Sequence, residues 1–158
     1  MERSIAILGA GSWGTALAVT LSGNGHRVRI WDIDTAHVRA LAADRENKKY
    51  LPEVRFNDRM ELVEEPEEAI RGADVVLFSA PAQRFRSALD MAAPHLKKDM
   101  VLVNVAKGIE QKSLLRLSEI AYDRLPDARY VVLSGPSHAE EVGRGLPTTV
   151  VAASRDQA

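Results

Sequence analysis

Three glycines, two acids, a lysine and a serine are the residues whose type and spacing could do chemistry here. Gly9, Gly11 and Gly14 stand at G-x-G-x-x-G spacing within Gly9-Ala10-Gly11-Ser12-Trp13-Gly14. That pattern suits a strand-to-helix turn that cradles a pyrophosphate. The first glycine permits the sharp turn, and the second lets phosphates approach the backbone because no Cβ intervenes. The third lets the helix lie close to the strand. Free N–H groups at the helix start face the anion, and the helix dipole adds roughly 0.3–1 kcal/mol. A second apolar run, Arg27-Val28-Arg29-Ile30-Trp31, closes in Asp32-Ile33-Asp34. An acid at that strand end, about 20 residues past the glycines, can accept from the ribose hydroxyls of an NAD-type cofactor. Asp34 also reads as the N-cap of the next helix, which leaves Asp32 as the first candidate for the ribose and Asp34 as the reserve. Either acid repels a 2′-phosphate, which favours NAD over NADP. A glycine turn that serves packing alone is the competing reading.

Lys107 directly follows an apolar strand and precedes Gly108. It reads either as a point-charge anchor for a phosphate or carboxylate or as a solvated lysine at a strand end. Ser137 and Glu140 form an S-x-x-E capping box for a short helix. Capping alone accounts for Ser137, although the same helix start could also receive an anion. His138 reads as a first-turn surface residue. There is no cysteine, and His26, His37, His95 and His138 lack H-x-x-H or H-E-x-x-H spacing. No metal site is expected.

The elements that must position these residues alternate. Apolar runs predict strands at 4–8, 27–31, 61–63, 74–78, 100–105 and 130–134, with a last strand at 148–152. Between them, helical spacing predicts helices at 12–22, at 35–45 with Val38, Leu41 and Ala42 on one face, and at 66–70. A further helix carries Phe85, Leu89 and Ala92. Another, at 113–124, turns Leu114, Leu117, Ile120 and Ala121 inward, and the capped helix runs to Gly143. Residues 46–59 read as an irregular polar loop, because Pro52 blocks a regular element. The expectation is an α/β fold, a doubly wound, mostly parallel sheet. Right-handed crossovers give the strand order 3-2-1-4-5-6. Ligands then bind beyond the carboxyl ends of the strands, where the order reverses. The glycine turn, Asp32, Ala80-Pro81, Lys107-Gly108 and Gly135-Pro136-Ser137 all fall on that rim.

Bulk properties bound the rest. A chain of 158 residues suits one domain with a real core. A net charge of −1 gives no electrostatic reason to expect nucleic acid or an acidic membrane surface as a partner. No apolar run approaches the ~20 residues of a membrane span. Met1-Glu2-Arg3-Ser4 leads straight into a strand without a signal-peptide pattern, and the lack of cysteine makes a cytoplasmic setting the expectation.

Four stretches, taken together and in order, carry a resemblance. They are Gly9 to Ala18 (GAGSWGTALA), the N-x-x-Y-L-P motif from Asn47 to Pro52, Ala106-Lys107-Gly108-Ile109-Glu110, and Gly135-Pro136-Ser137-His138-Ala139-Glu140-Glu141-Val142. The chain resembles, over essentially its whole length, the N-terminal Rossmann domain of bacterial NAD(P)-dependent sn-glycerol-3-phosphate dehydrogenases. The resemblance implies NAD(P)H-dependent reduction of dihydroxyacetone phosphate to sn-glycerol 3-phosphate, the glycerol backbone of phospholipids. It implies cofactor contacts at Gly9, Gly11, Ser12, Trp13, Gly14, Asp32, Ile33, Tyr50, Pro81, Lys107 and Ala139. It implies substrate contacts at Lys107, Gly135 and Ser137, and a loop from Asn47 to Pro52 folded over the cofactor side.

Two positions depart from the family pattern. Ala82 stands where serine is frequent. Ile33 stands where many relatives carry a basic or histidine side chain, which together with Asp32 tells against efficient NADP use. The family's second, helical domain supplies a general-base lysine and further phosphate ligands. None of it is expected within 1–158, so no catalytic residue is assigned, and the dinucleotide-binding domain reads as incomplete at its C-terminal end. A homodimer fits the full-length enzyme. Two other readings stand beside this one: another 6-phosphogluconate dehydrogenase-like hydroxyacid or sugar dehydrogenase, and a non-catalytic nucleotide-binding module.

Overall fold

A computed structural model describes residues 1–155 of the chain. In chain order the elements are β1 (Ser4–Leu8), α1 (Ser12–Gly23), β2 (Arg27–Trp31), α2 (Thr35–Asp44), β3 (Glu46–Asn47), β4 (Leu51–Arg55), β5 (Met60–Leu62) and α3 (Pro66–Ile70). Then come β6 (Val75–Phe78), α4 (Phe85–Ala92), β7 (Val101–Asn104), α5 (Leu117–Arg124), β8 (Arg129–Ser134), α6 (Ala139–Gly143) and β9 (Val151–Ser154).

Seven strands form one sheet in the order β5-β2-β1-β6-β7-β8-β9. The first six are parallel, and β9 pairs antiparallel with β8 at the edge. The parallel part has the expected 3-2-1-4-5-6 order. Strands in such a sheet are covered on both faces, and β1 shows it: Ala6 and Leu8 face one core, Ile5 and Ile7 the other. The first core gathers Phe78, Phe85, Leu89, Ile120 and Tyr130, with Phe78–Phe85 and Phe85–Tyr130 ring centroids 5.5 and 6.4 Å apart in edge-on geometry. The second gathers Ile7, Leu17, Ile30, Leu41 and Met60. A third, smaller cluster joins Ala16 of α1 to Leu51 and Val54 of β4 and Val142 of α6. Among the described residues no helix is long and apolar enough to cross a membrane.

The structure corrects several expectations. Residues 46–59 are not an irregular loop: β3 and β4 form a two-stranded antiparallel ribbon with a register shift between Glu46 and Asn47. Pro52 lies within β4 but outside the paired positions, where its missing N–H costs no ladder bond. Leu51 and Val54 pin the ribbon to the body. The helix expected at 113–124 begins only at Leu117. Leu114 adopts a left-handed backbone (φ 60°) and is 72% exposed, so it does not turn inward, and a bridge between Ile109 and Arg116 closes a tight loop in its place. Ala42 is exposed, leaving Val38 and Leu41 as the buried side of α2. The last strand sits at Val151–Ser154 instead of 148–152.

Candidate nucleotide-binding cleft

The three glycines divide their work. Gly9 (φ 117°) turns the chain sharply after β1, and a Cβ there would lie 2.9 Å from the Ala80 nitrogen on the neighbouring β6 turn. A Cβ on Gly14 would lie 2.1 Å from the Gly9 carbonyl oxygen, so this residue lets α1 pack under the turn. Gly11 is different. It is the N-cap of α1 with ordinary backbone angles, and an added Cβ would meet no protein atom within 4 Å. Its missing side chain leaves open space at the helix start, where unpaired N–H groups can meet an anion.

The two acids after β2 are both turned to backbone N–H groups. Asp34 caps α2, accepting from the His37 N–H at 3.0 Å. Asp32 accepts from the Ala10 N–H at 2.7 Å through Oδ2 and from the Asp34 N–H at 3.0 Å through Oδ1. An ionised carboxylate has about four acceptor positions, so Asp32 retains capacity for a further donor. Beside the acids the Tyr50 ring meets the His37 ring edge-on at 5.2 Å, and Lys49 Nζ lies 4.7 Å from the Tyr50 centroid. Interaction with Tyr50, and after it the charges of Asp34 and Asp32, holds the Lys49 ammonium above the ordinary lysine range.

The far side of the rim is shaped by a buried asparagine. Asn104, at the end of β7, accepts from the Ala106 N–H at 3.1 Å and donates to the Ala106 carbonyl at 3.2 Å. That local turn ends the strand and presents Lys107, whose Nζ donates to the Gly135 carbonyl at 3.1 Å. Lys107 therefore ties the ends of β7 and β8 together, with Gly108 (φ 117°) allowing the chain to leave. The capping box expected of Ser137 does not form. α6 begins at Ala139 with His138 as N-cap in an extended conformation and without a side-chain cap bond. The serine lies one residue too early to reach the helix N–H groups. Its hydroxyl has no partner among the described residues.

These turns enclose a cleft of about 1010 Å³ along the carboxyl edge of the sheet, at the upper end of the ~300–1,000 Å³ usual for ligand sites. Its walls include Gly9, Gly11, Ser12, Trp13, Asp32, Ile33, Tyr50, Pro81, Lys107, Ser137 and Ala139. Two expected site residues are outside the lining: Gly14, packed beneath the turn, and Gly135, which contributes its carbonyl to Lys107. Several lining residues escaped the sequence reading, among them His37, Arg84, Ser87 and Met91. Arg84 lines the cleft with no hydrogen-bond or ion-pair partner for its guanidinium among the described residues. No local pattern marked it, since one exposed arginine before a helix is common. Among the described residues no cluster of three or more His, Cys, Asp or Glu could hold a metal. The open space at Gly11 and the size of the cleft fit a dinucleotide better than a compact ligand.

Comparison with known proteins agrees with this fold. A family profile described as NAD-dependent glycerol-3-phosphate dehydrogenase N-terminus matches residues 4–158. The glycerol-3-phosphate dehydrogenase [NAD(P)+] of Moorella thermoacetica is 48% identical over 157 residues, covering 99% of this chain and 47% of that protein. The protein of the same description from Bacillus subtilis is 46% identical, covering 97% and 45%. The crystal structure of glycerol-3-phosphate dehydrogenase from Coxiella burnetii superposes with a TM-score of 0.93 at 34% identity, covering 98% of this chain and 47% of that one. The chain thus spans about half the length of the relatives it matches. Within that span, it belongs to the NAD-dependent glycerol-3-phosphate dehydrogenase family, in the N-terminal part that carries the Rossmann-like sheet.

Proposed function

We propose that this chain is the dinucleotide-binding part of an oxidoreductase that interconverts dihydroxyacetone phosphate and sn-glycerol 3-phosphate with NAD(H) or NADP(H). The observation that carries the reading is the meeting of Gly11, Lys107 and Ser137 on one cleft at the point where strand order reverses. The Gly11 turn and the α1 N-terminus would hold the pyrophosphate. Asp32, Ile33 and Tyr50 would flank the adenosine, and the Asp32 charge would favour NAD by opposing a 2′-phosphate. Pro81, Trp13 and Ala139 would shape the middle of the cleft. When bound, the nicotinamide supplies or accepts the hydride. Lys107 would hold or polarise the phosphorylated substrate as a point charge, with Ser137 and the Gly135 backbone beside it. The family resemblance puts the general-base lysine in a second domain, outside the 158 residues.

Both tryptophans, Trp13 and Trp31, line the cleft, so binding should quench their emission. Residues 1–158 are expected to bind NADH, and to bind it more tightly than NADPH, without turning over dihydroxyacetone phosphate. A chain of the relatives' full length is expected to oxidise NADH when dihydroxyacetone phosphate is added. Absence of quenching by either nucleotide would overturn the reading, and turnover by residues 1–158 alone would overturn the assignment of the general base to a second domain.

A further inference from the structure

Ala10, between the first two glycines, is fully buried, and side chains from three other parts of the chain hold its backbone. Its N–H donates to Asp32 at 2.7 Å. Its carbonyl accepts from Asn47 Nδ2 at 3.0 Å and lies 3.3 Å from His37 Nε2, with the Thr15 hydroxyl at 3.5 Å. Asn47 is the most deeply committed of these. It is 0% exposed, donates also to Thr15 Oγ1 at 2.8 Å, and accepts from the Tyr50 N–H at 3.1 Å. Both amide protons and one oxygen lone pair are thus used inside the protein. One end of this amide grips the glycine turn. The other sets the turn that carries Tyr50 into the cleft.

Burial makes these bonds consequential. Without Asn47 the buried Ala10 carbonyl would lose its shortest donor and keep only the longer contacts to His37 Nε2 and the Thr15 hydroxyl, so the peptide would shift toward them. A shift of the Ala10 peptide rotates the N–H groups that follow it, the ones that face the phosphates. Resting on the nucleotide-binding reading above, we propose that Asn47 is a positioning residue for the cofactor, fixing the glycine turn and the Tyr50 wall of the cleft with one buried amide. It lies outside the cleft lining and acts through Ala10 and Tyr50.

The test is titration of residues 1–158 with NAD⁺, read by quenching of Trp13 and Trp31, alongside circular dichroism. Asn47→Ala is expected to keep the fold and bind NAD⁺ about tenfold more weakly. Asn47→Asp separates positioning from simple bracing. Its carboxylate offers Ala10 no donor, but its protonated form regains one. Its affinity should therefore recover toward wild type between about pH 7.5 and about pH 5, since burial raises a carboxyl pKa. Asp32 and His37 share the Ala10 peptide with Asn47, Asp34 caps the helix that carries His37, Glu46 is the chain neighbour of Asn47 and Lys49 sits against Tyr50, so each value is taken relative to the wild-type chain at the same pH. Wild-type affinity in Asn47→Ala, or a weakened Asn47→Asp with no recovery in acid, would overturn the proposal. If Asn47→Ala does not fold, the Asn47→Asp profile decides alone. A wild-type chain that fails to bind NAD⁺ would overturn the nucleotide reading, and this proposal with it.

Discussion

One methyl group separates the roles of the glycines. In Gly14→Ala the new Cβ would lie 2.1 Å from the Gly9 carbonyl oxygen, a backbone atom that cannot swing aside. Overpacking of this kind costs roughly 1–3 kcal/mol or more, and urea unfolding should show it without any ligand present. In Gly11→Ala the methyl meets nothing in the protein. Stability should fall by no more than roughly 1 kcal/mol, the cost of a poorer cap, while NADH quenching should weaken if the proposed phosphate position at Gly11 holds, because the methyl would occupy it. Equal losses of stability in the two variants would contradict this division of labour. The glycine spacing could be read from sequence because it is a local pattern with one geometric solution. Asn47 and Arg84 could not, since what matters for each is a partner, or the lack of one, far along the chain. Ser137 shows the opposite failure. A satisfied local pattern, S-x-x-E, suggested a cap that the extended conformation of His138 prevents.

At the scale of elements, strands were recovered best because runs such as Ile5 to Leu8 admit few alternatives once both faces are covered. The β3–β4 ribbon is not legible from sequence because Pro52 argues against a strand, whereas only the paired positions need their N–H. The start of α5 was misplaced because Leu114 fits the helical period, yet the loop before it is organised by charge. Glu110 accepts from Arg86 Nε and Nη2, each at 2.9 Å, and from the Ser113 hydroxyl. These bonds, Arg86 first and then Ser113, hold the Glu110 carboxyl down at about 2, against a usual 4.5. They also brace the segment after Lys107 against α4. A carboxyl lowered in this way contributes stability that is fully present above pH 4.5 and is lost as pH falls toward 2. Glu110→Gln should therefore be less stable than wild type at neutral pH. The gap should close on acidification through that window, measured as urea midpoints at successive pH values. A gap independent of pH would show that the ion pair is not its source.

For the whole molecule, the sheet order followed from the right-handed crossover rule, which needs only the sequence of elements. The rule says nothing of what lies outside the sheet, and there the third hydrophobic cluster does its work. Leu51 of the ribbon is 1% exposed and packs with Ala16 of α1 and with Val54 and Val142. It also presses on α6 so closely that a Cβ on Gly143 would lie 2.9 Å from Leu51 Cδ2. Tyr50 precedes Leu51 in the chain, Trp13 and Ala139 pack against the same cluster, and all three line the cleft. One small core thus seats the Tyr50 wall of the cleft, the glycine helix and the helix after Ser137. Leu51→Ala should lower stability by roughly 2–5 kcal/mol, as buried leucine truncations do. It should also weaken NADH binding under conditions where the chain remains folded, because the cleft walls lose a common support. Val38→Ala makes a comparison, since Val38 is equally buried (1% exposed) in α2 but lies outside both that cluster and the cleft lining. Its truncation should cost stability and leave NADH affinity near wild type. If both variants lose stability and neither loses affinity, the cluster supports the fold alone and the cleft walls are held independently.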